Sequence, residues 1–401
     1  NVFEMINNRQ VIFGAGEVKR IPKLLAWYGC KKVFLAVYDK NAPVCGRIVK
    51  DLEKEGIGSL IFDRICGEPD TRLLNEGRDL FLSEGCDCTV AVGGGSVLDA
   101  AKAIGMLAVN GGTAEEYQME GREVTAPPPL MIAVPTTSGT GSEATKVSVV
   151  LNSTNGLKKS MYHTTMIADT VILDPELTVG LPKSVTAATG MDALSHAVES
   201  YVSLNASPLT ELYGLKAVEL IAGSLERACS HPEDLKARGD MMLASYLGGC
   251  AITAGIGIAH IMAQPLGAVY KIPHGDACSV FLPVSMELNL SYAAGKYEKI
   301  AKALGAAGED LTEEENARRG IARIRELRRR IGAPESLSPY ITEPRRKAAT
   351  VFSSYKCAYN IFYSQSHGTP QFLTGLFYFF CIRRIERLLH FHVVNHLNNL
   401  L

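Results

Sequence analysis

Hydrophobic positions follow two rhythms along the chain. Up to about residue 180, apolar runs alternate with stretches of helical spacing. KKVFLAVYD (31–39), SLIFDRI (59–65), CTVAVGGG (88–95) and PLMIAVPTT (129–137) read as strands. RIVKDLEKEG, TRLLNEGRDLFLSEG (71–85) and SVLDAAKAIGMLA (96–108) read as the helices between them. That order predicts a parallel sheet covered by helices, an α/β domain over residues 1–180. From about residue 181 strand signals fade. KSVTAATGMDALSHAVESYVS, SPLTELYGLKAVELIAGSL and DLKARGDMMLASYLGGCAITAG predict an all-helical domain over 181–339, with LPK (181–183) as the boundary. EEENARRGIARIRELRRRIG (313–332) is a helix whose charge run reads as a solvated face.

The remaining segment, 340–401, breaks the pattern. It has clustered aromatics, few carboxylates and no helical capping signals, and it holds four of the nine histidines: His367, His390, His392 and His396. HFHVVNH has the look of a metal tract, but a shifted reading frame or degenerate gene end is the favoured explanation of the whole segment. The opening NVFEMINNRQ lacks a basic stretch followed by an apolar one, so no signal peptide is expected. It has no initiator Met, so a few residues are expected to precede it.

Composition narrows the classes. Of 401 residues, 47% are hydrophobic and 21% charged, which supplies ample core for a soluble globular protein. A formal net charge of −1 gives no electrostatic case for nucleic acid or an anionic membrane surface. Apolar runs stop short of a bilayer span. The ten cysteines are scattered without a C-x-x-C pair, the usage of reduced cytoplasmic thiols. Cys278, near His274, reads as a small buried apolar residue rather than a ligand.

Candidate chemistry concentrates in two places. Asp192 and His196 in GMDALSHAVE share a helix face, and His260 and His274 sit in small, apolar surroundings. One carboxylate and three imidazoles suit a divalent transition metal. Singly, each has a structural reading: a cap for Asp192, a satisfied buried histidine for His196, a helix start for His274. Glycine clusters are the second place. Gly14 and Gly16 follow a strand-like run, with Asp39 some twenty residues on, but Lys19 holds the third glycine position and an ordinary strand-to-helix turn is the better reading. TVAVGGGSVLDAAKA (89–103) delivers Gly93, Gly94 and Gly95 to a helix starting at Ser96, where bare glycines and free N–H groups suit a pyrophosphate. PTTSGTGSEAT (135–145) follows another strand, the position of ligand loops in open α/β sheets.

Taken together, GGGSVLDAAKAIG (93–105), PTTSGTGSEAT (135–145), ADTVILDPELTVGLP (168–182), AATGMDALSHAVESY (187–201) and IAHIMAQPLGAVYKIPHG (258–275) resemble the iron-containing (group III) alcohol dehydrogenase family, over roughly residues 5–335. The resemblance implies a dinucleotide-binding α/β domain, an all-helical metal domain of dehydroquinate synthase-like architecture, and a site in the cleft between. It implies a divalent ion, Fe2+ or alternatively Zn2+, on Asp192, His196, His260 and His274. It places a pyrophosphate on Gly94, Gly95 and Ser96, and the nicotinamide half against Thr136, Thr137 and Thr140, with Asp99 supporting the loop. Lys158 or Lys159 is expected at the cofactor. Asp39, at the adenosine ribose, accepts hydrogen bonds from the hydroxyls and repels a 2′-phosphate, so NAD is expected over NADP. The expected reaction is hydride transfer between nicotinamide and a small primary alcohol, diol or aldehyde, with the metal as Lewis acid. A cytoplasmic homo-oligomer, a dimer first, completes the expectation.

Two departures qualify it. Where the family commonly has a second histidine four residues after the third ligand, this chain has Gln264, which cannot relay a proton. The tail lacks the family's closing helices, so a catalytically impaired metal- and nucleotide-binding remnant is the alternative. A lyase of the dehydroquinate synthase type needs a basic site for a phosphorylated substrate, and the segments around 192–201 and 258–275 offer only Lys271.

Overall fold

Strand β2 (Lys32–Val37) shows how the first half is built. Val33, Leu35 and Val37 enter one core, beside helices α1 (Ile21–Trp27) and α2 (Pro43–Lys54). Phe34 and Ala36 enter the core on the other face, with α3 (Thr71–Ser83) and α4 (Gly95–Asn110). A strand buried on both faces reads as an unbroken apolar run. Phe34 also anchors a cluster with Phe62 and Phe81, ring centroids 5.1 and 5.6 Å away.

This computed structural model describes residues 2–341, and these form one compact unit. Of the anomalous segment only Tyr340 and Ile341 are included; the four tail histidines lie outside the described residues. The main sheet adds β1 (Gln10–Phe13), β3 (Gly58–Phe62), β4 (Cys88–Gly93), β5 (Met131–Pro135) and β8 (Thr170–Leu173) in the order β1-β8-β5-β4-β2-β3, all parallel. The chain turns from β2 to β3 on one side and returns to place β4 on the other. The order therefore reverses between β2 and β4, where open α/β sheets bind ligands. Trp27 closes α1 at the opposite, amino-terminal edge of the sheet and is 85% exposed.

A hairpin of β6 (Val147–Leu151) and β7 (Lys158–Tyr162) was not among the expected strands. Its turn is shaped by Asn152, whose side-chain oxygen accepts from the amides of Thr154 and Asn155. The strand expected over 59–65 ends at Phe62, where the charged Asp63 and Arg64 follow.

Helices take over after β8. α5 (Lys183–Val202) is buried almost all round from Gly190 to Tyr201, the mark of a core helix. Around it pack α6 (Pro208–Ser230), α7 (Leu235–Ala251) and α9 (His274–Leu288). α8 (Ile258–Tyr270), α10 (Leu290–Ala303) and α11 (Glu313–Ile331) complete the layer. α11 has a Thr312–Glu315 capping box, a left-handed Gly332 at its end, and Glu314–Arg318 and Glu326–Arg330 pairs one turn apart. No single helix among the described residues is long and apolar enough to cross a membrane.

A buried polar knot ties the segment after β5 to α4. The Lys102 ammonium, shut off from solvent, donates to the Ser142 carbonyl at 2.9 Å and pairs with Asp99 at 3.1 Å. Asp99 also accepts from the Ser142 hydroxyl and from the Val149 amide. Beside them Glu143 is buried with Oε1 unpartnered, and burial raises its carboxyl to about 7 despite the nearby Lys102 charge. A raised carboxyl favours the folded state fully below about pH 4.5, and that contribution is lost as pH rises through about 7. Glu143→Gln removes the dependence. Relative to wild type, the variant should gain about 3 kcal/mol of stability between pH 5 and pH 8. Urea denaturation at the two pH values measures this; an unchanged difference would mean that Glu143 titrates normally.

Candidate functional site

Asp192 and His196 lie one helical turn apart on α5, both buried. His260 enters from the first turn of α8, and His274 is the first residue of α9, after Pro273. Their Nε2 atoms converge on one oxygen, Asp192 Oδ1: His260 at 3.4 Å, His274 at 3.6 Å and His196 at 4.0 Å. The His196 and His260 rings stack with centroids 4.3 Å apart. The structure thus brings together all four residues singled out in the sequence.

The atoms at the centre lack partners. Asp192 Oδ1 and His260 Nε2 are buried without a hydrogen bond. Such atoms are costly unless something else satisfies them. Burial would raise the Asp192 carboxyl, but the three imidazoles outweigh it and hold the group well below the usual carboxylate range. Burial depresses His196 and His274 to about 4, so both are neutral at pH 7 with a lone pair free to donate. An oxygen donor beside the neutral imidazoles of His196 and His274 fits a divalent transition ion.

The sequence reading missed two neighbours. Glu199, fully buried, accepts from His260 Nδ1 at 2.6 Å and from the Gly257 and Ala259 amides at 2.9 and 2.6 Å. It therefore caps α8 and turns His260 Nε2 toward Asp192. The signal was available: Asp192, His196 and Glu199 sit at i, i+4 and i+7 on one face. The second is Cys278, one turn after His274, whose Sγ lies 3.6 Å from His274 Nε2. Donor atoms of Asp192, His260, His274 and Cys278 all lie within 4.8 Å of one another. His196 stands slightly apart, its Nδ1 3.2 Å from the Gly139 carbonyl.

Close backbone packing makes this convergence possible. A Cβ on Gly275 would meet the Ala188 carbonyl oxygen at 2.0 Å, so only glycine lets α9 approach α5 at His274. In the same way Gly249 of α7 faces the Gly141 carbonyl, where a Cβ would stand 2.4 Å away. That contact and the Gly139–His196 bond pin the loop 135–145 to the helices.

The same loop faces the sheet's ligand edge. β4 and β5 end in register, Gly93 opposite Pro135, with the Thr136 amide bonded to the Gly93 carbonyl. Thr137 lies over Gly94 and Thr140 over Gly95. α4 begins at Gly95 with no side-chain cap, and Ser96 lies in its first turn. Asp39 follows β2 at the same edge, exposed, accepting from the Asn41 amide. The expected cofactor residues of three adjacent strands thus share one rim. Asp99 stands behind it, its carboxylate engaged by Ser142, Val149 and Lys102. Lys158 and Lys159 are neighbours on β7; Lys158 pairs with Glu68 and acts electrostatically on His274, which separates the two. Gly14 and Gly16 belong to another structure, since the Gly16 and Val18 amides donate to Asp174.

Residues 8–175 match the iron-containing alcohol dehydrogenase family model, and residues 186–365 match the C-terminal model of the Fe-containing alcohol dehydrogenase family. The chain belongs to the iron-containing alcohol dehydrogenase family. The NAD-dependent methanol dehydrogenase of Bacillus methanolicus is 35% identical over 326 residues, 80% of this chain and 85% of the relative. A crystal structure of 1,3-propanediol oxidoreductase superposes with a TM-score of 0.83 at 34% identity, over 86% of this chain and 90% of that one. The alcohol dehydrogenase from Oenococcus oeni superposes with a TM-score of 0.84 at 29% identity, over 94% and 99%. Family membership makes the chain an oxidoreductase, and the parallel α/β half followed by a helical half is the architecture of its structural relatives.

Gly275→Ala should cost at least about 1–3 kcal/mol, because the added methyl has to push α9 off α5. Chemical denaturation reads this directly, and an unshifted midpoint would show that the two helices separate freely.

Proposed function

We propose that the chain is a metal-dependent, NAD-linked alcohol dehydrogenase or aldehyde reductase for small primary alcohols and diols. One observation carries the reading. Three imidazole nitrogens converge on a buried, unpartnered carboxylate oxygen beside a loop that also borders the nucleotide rim. Asp192, His196, His260 and His274 would hold Fe2+ or Zn2+. Such an ion supplies Lewis-acid polarisation of a substrate oxygen, and a nicotinamide supplies or accepts the hydride.

The chain's own residues do the rest. Glu199 and Gly139 fix the orientation of His260 and His196. Gly94, Gly95 and Ser96 offer backbone amides to a pyrophosphate at the start of α4. Thr136, Thr137 and Thr140 place hydroxyls on the side nearer the helices, and Lys158 is the better-placed of the two lysines. Asp39 is proposed at the adenosine ribose, favouring NAD. Gln264, one turn after His260, does not titrate, so the alcohol proton leaves through solvent, a cofactor hydroxyl or another group. The cysteines among the described residues are all free thiols, which fits a cytoplasmic enzyme. A homo-oligomer, a dimer first, is the proposed assembly.

The direct test is a panel of small aldehydes with NADH and NADPH, and of alcohols with both oxidised cofactors, on metal-analysed protein. Turnover that His260→Ala abolishes together with metal retention is the expected result. Full activity of a metal-stripped His260→Ala preparation would overturn the reading. Asp39→Gly should reduce the preference for NADH over NADPH by about tenfold, through loss of 2′-phosphate repulsion. An unchanged kcat/KM ratio for the two cofactors would remove Asp39 from the cofactor site.

A further inference from the structure

α9 presents two donors to the centre, not one. His274 and Cys278 are one turn apart and share a face, as Asp192 and His196 do on α5. Cys278 is wholly buried in a small cluster with Ala263, Ala277 and Leu337, yet its sulfur also reaches the imidazoles. Cys278 Sγ to His274 Nε2 is 3.6 Å, His274 Nε2 to Asp192 Oδ1 is 3.6 Å, and His260 Nε2 to Asp192 Oδ1 is 3.4 Å. Two ligand atoms of one ion with bonds of about 2.0–2.3 Å stand about 3.3–3.8 Å apart at the tetrahedral angle. The sulfur stands at that spacing from His274 Nε2 and within 4.8 Å of the Asp192 and His260 donor atoms.

We propose that Cys278 is a sulfur ligand of the metal centre, added to Asp192, His196, His260 and His274, and that it tilts the centre toward zinc over iron. This rests on the metal-dependent reading above and sharpens it. Coordination takes the thiolate, with the thiol proton released to solvent. A thiolate is a softer donor than the oxygen and nitrogen atoms around it, and zinc accepts it readily.

Cobalt substitution tests the assignment without reference to activity. The probe is Co2+ alone, titrated into metal-free wild type and Cys278→Ser. The expected wild-type spectrum has a near-ultraviolet sulfur-to-cobalt charge-transfer band beside weaker visible bands. Cys278→Ser should lose the first and keep the second, and its preference for Zn2+ over Fe2+ should fall by at least about tenfold. Stoichiometric Co2+ without the near-ultraviolet band overturns the proposal. So does a band that survives in Cys278→Ser and disappears in Cys88→Ser, because Cys30, Asp87 and Cys88 form a second thiol-bearing group at the other edge of the sheet. Absence of the visible bands as well would overturn the metal reading itself, and this proposal with it. Should the serine variant misfold, X-ray absorption of zinc-loaded Cys88→Ser decides: a sulfur shell at about 2.3 Å supports the ligand, and a shell of light atoms only refutes it.

Discussion

One carboxylate oxygen governs the helical half. Asp192 Oδ1 is buried, receives no hydrogen bond and stands at the meeting point of three imidazoles from three helices. A bare charge in that position is tolerable only with positive or electron-accepting groups held close to it. Much of the surrounding geometry serves that end. α5 sits in the middle of the layer, Gly275 lets α9 come close, and Glu199 both caps α8 and turns His260 inward.

The link to the other half is equally short. The loop after β5 touches α5 through the Gly139 carbonyl and α7 through Gly141, while its threonines lie over the glycines that open α4. Lys102 and Asp99 hold the following residues from behind. A ligand on the rim and an ion among the imidazoles would thus share one loop as a common wall, which is what transfer between two bound partners requires.

Legibility in the sequence followed burial. Strands covered on both faces, such as CTVAVG in β4, announce themselves as uninterrupted apolar runs, and their order with the helices was enough for the parallel sheet. The hairpin of β6 and β7 was harder. It stands outside the main sheet, and its polar second strand KKSMY has little apolar signal, although the Asn155-Gly156 pair marks a turn. At the site, Asp192 and His196 were legible because helical spacing alone puts them on one face. Glu199 lies on that same face, but was passed over because an acid near the end of a helix ordinarily faces water. Cys278 read as a small core residue, and buried in a small apolar cluster it is one; only the fold brings its sulfur to His274. Lys158 and Lys159 differ only through Glu68 and His274, which reach Lys158 from distant parts of the chain.

Trp27 has a consequence of another kind. It is the chain's single tryptophan, it stands in solvent at the end of α1, and it lies at the edge of the sheet opposite the glycine loops. Its environment is the outer skin of the molecule. A soluble quencher reaches that indole directly, so the emission reports on the surface at the amino-terminal edge of the sheet.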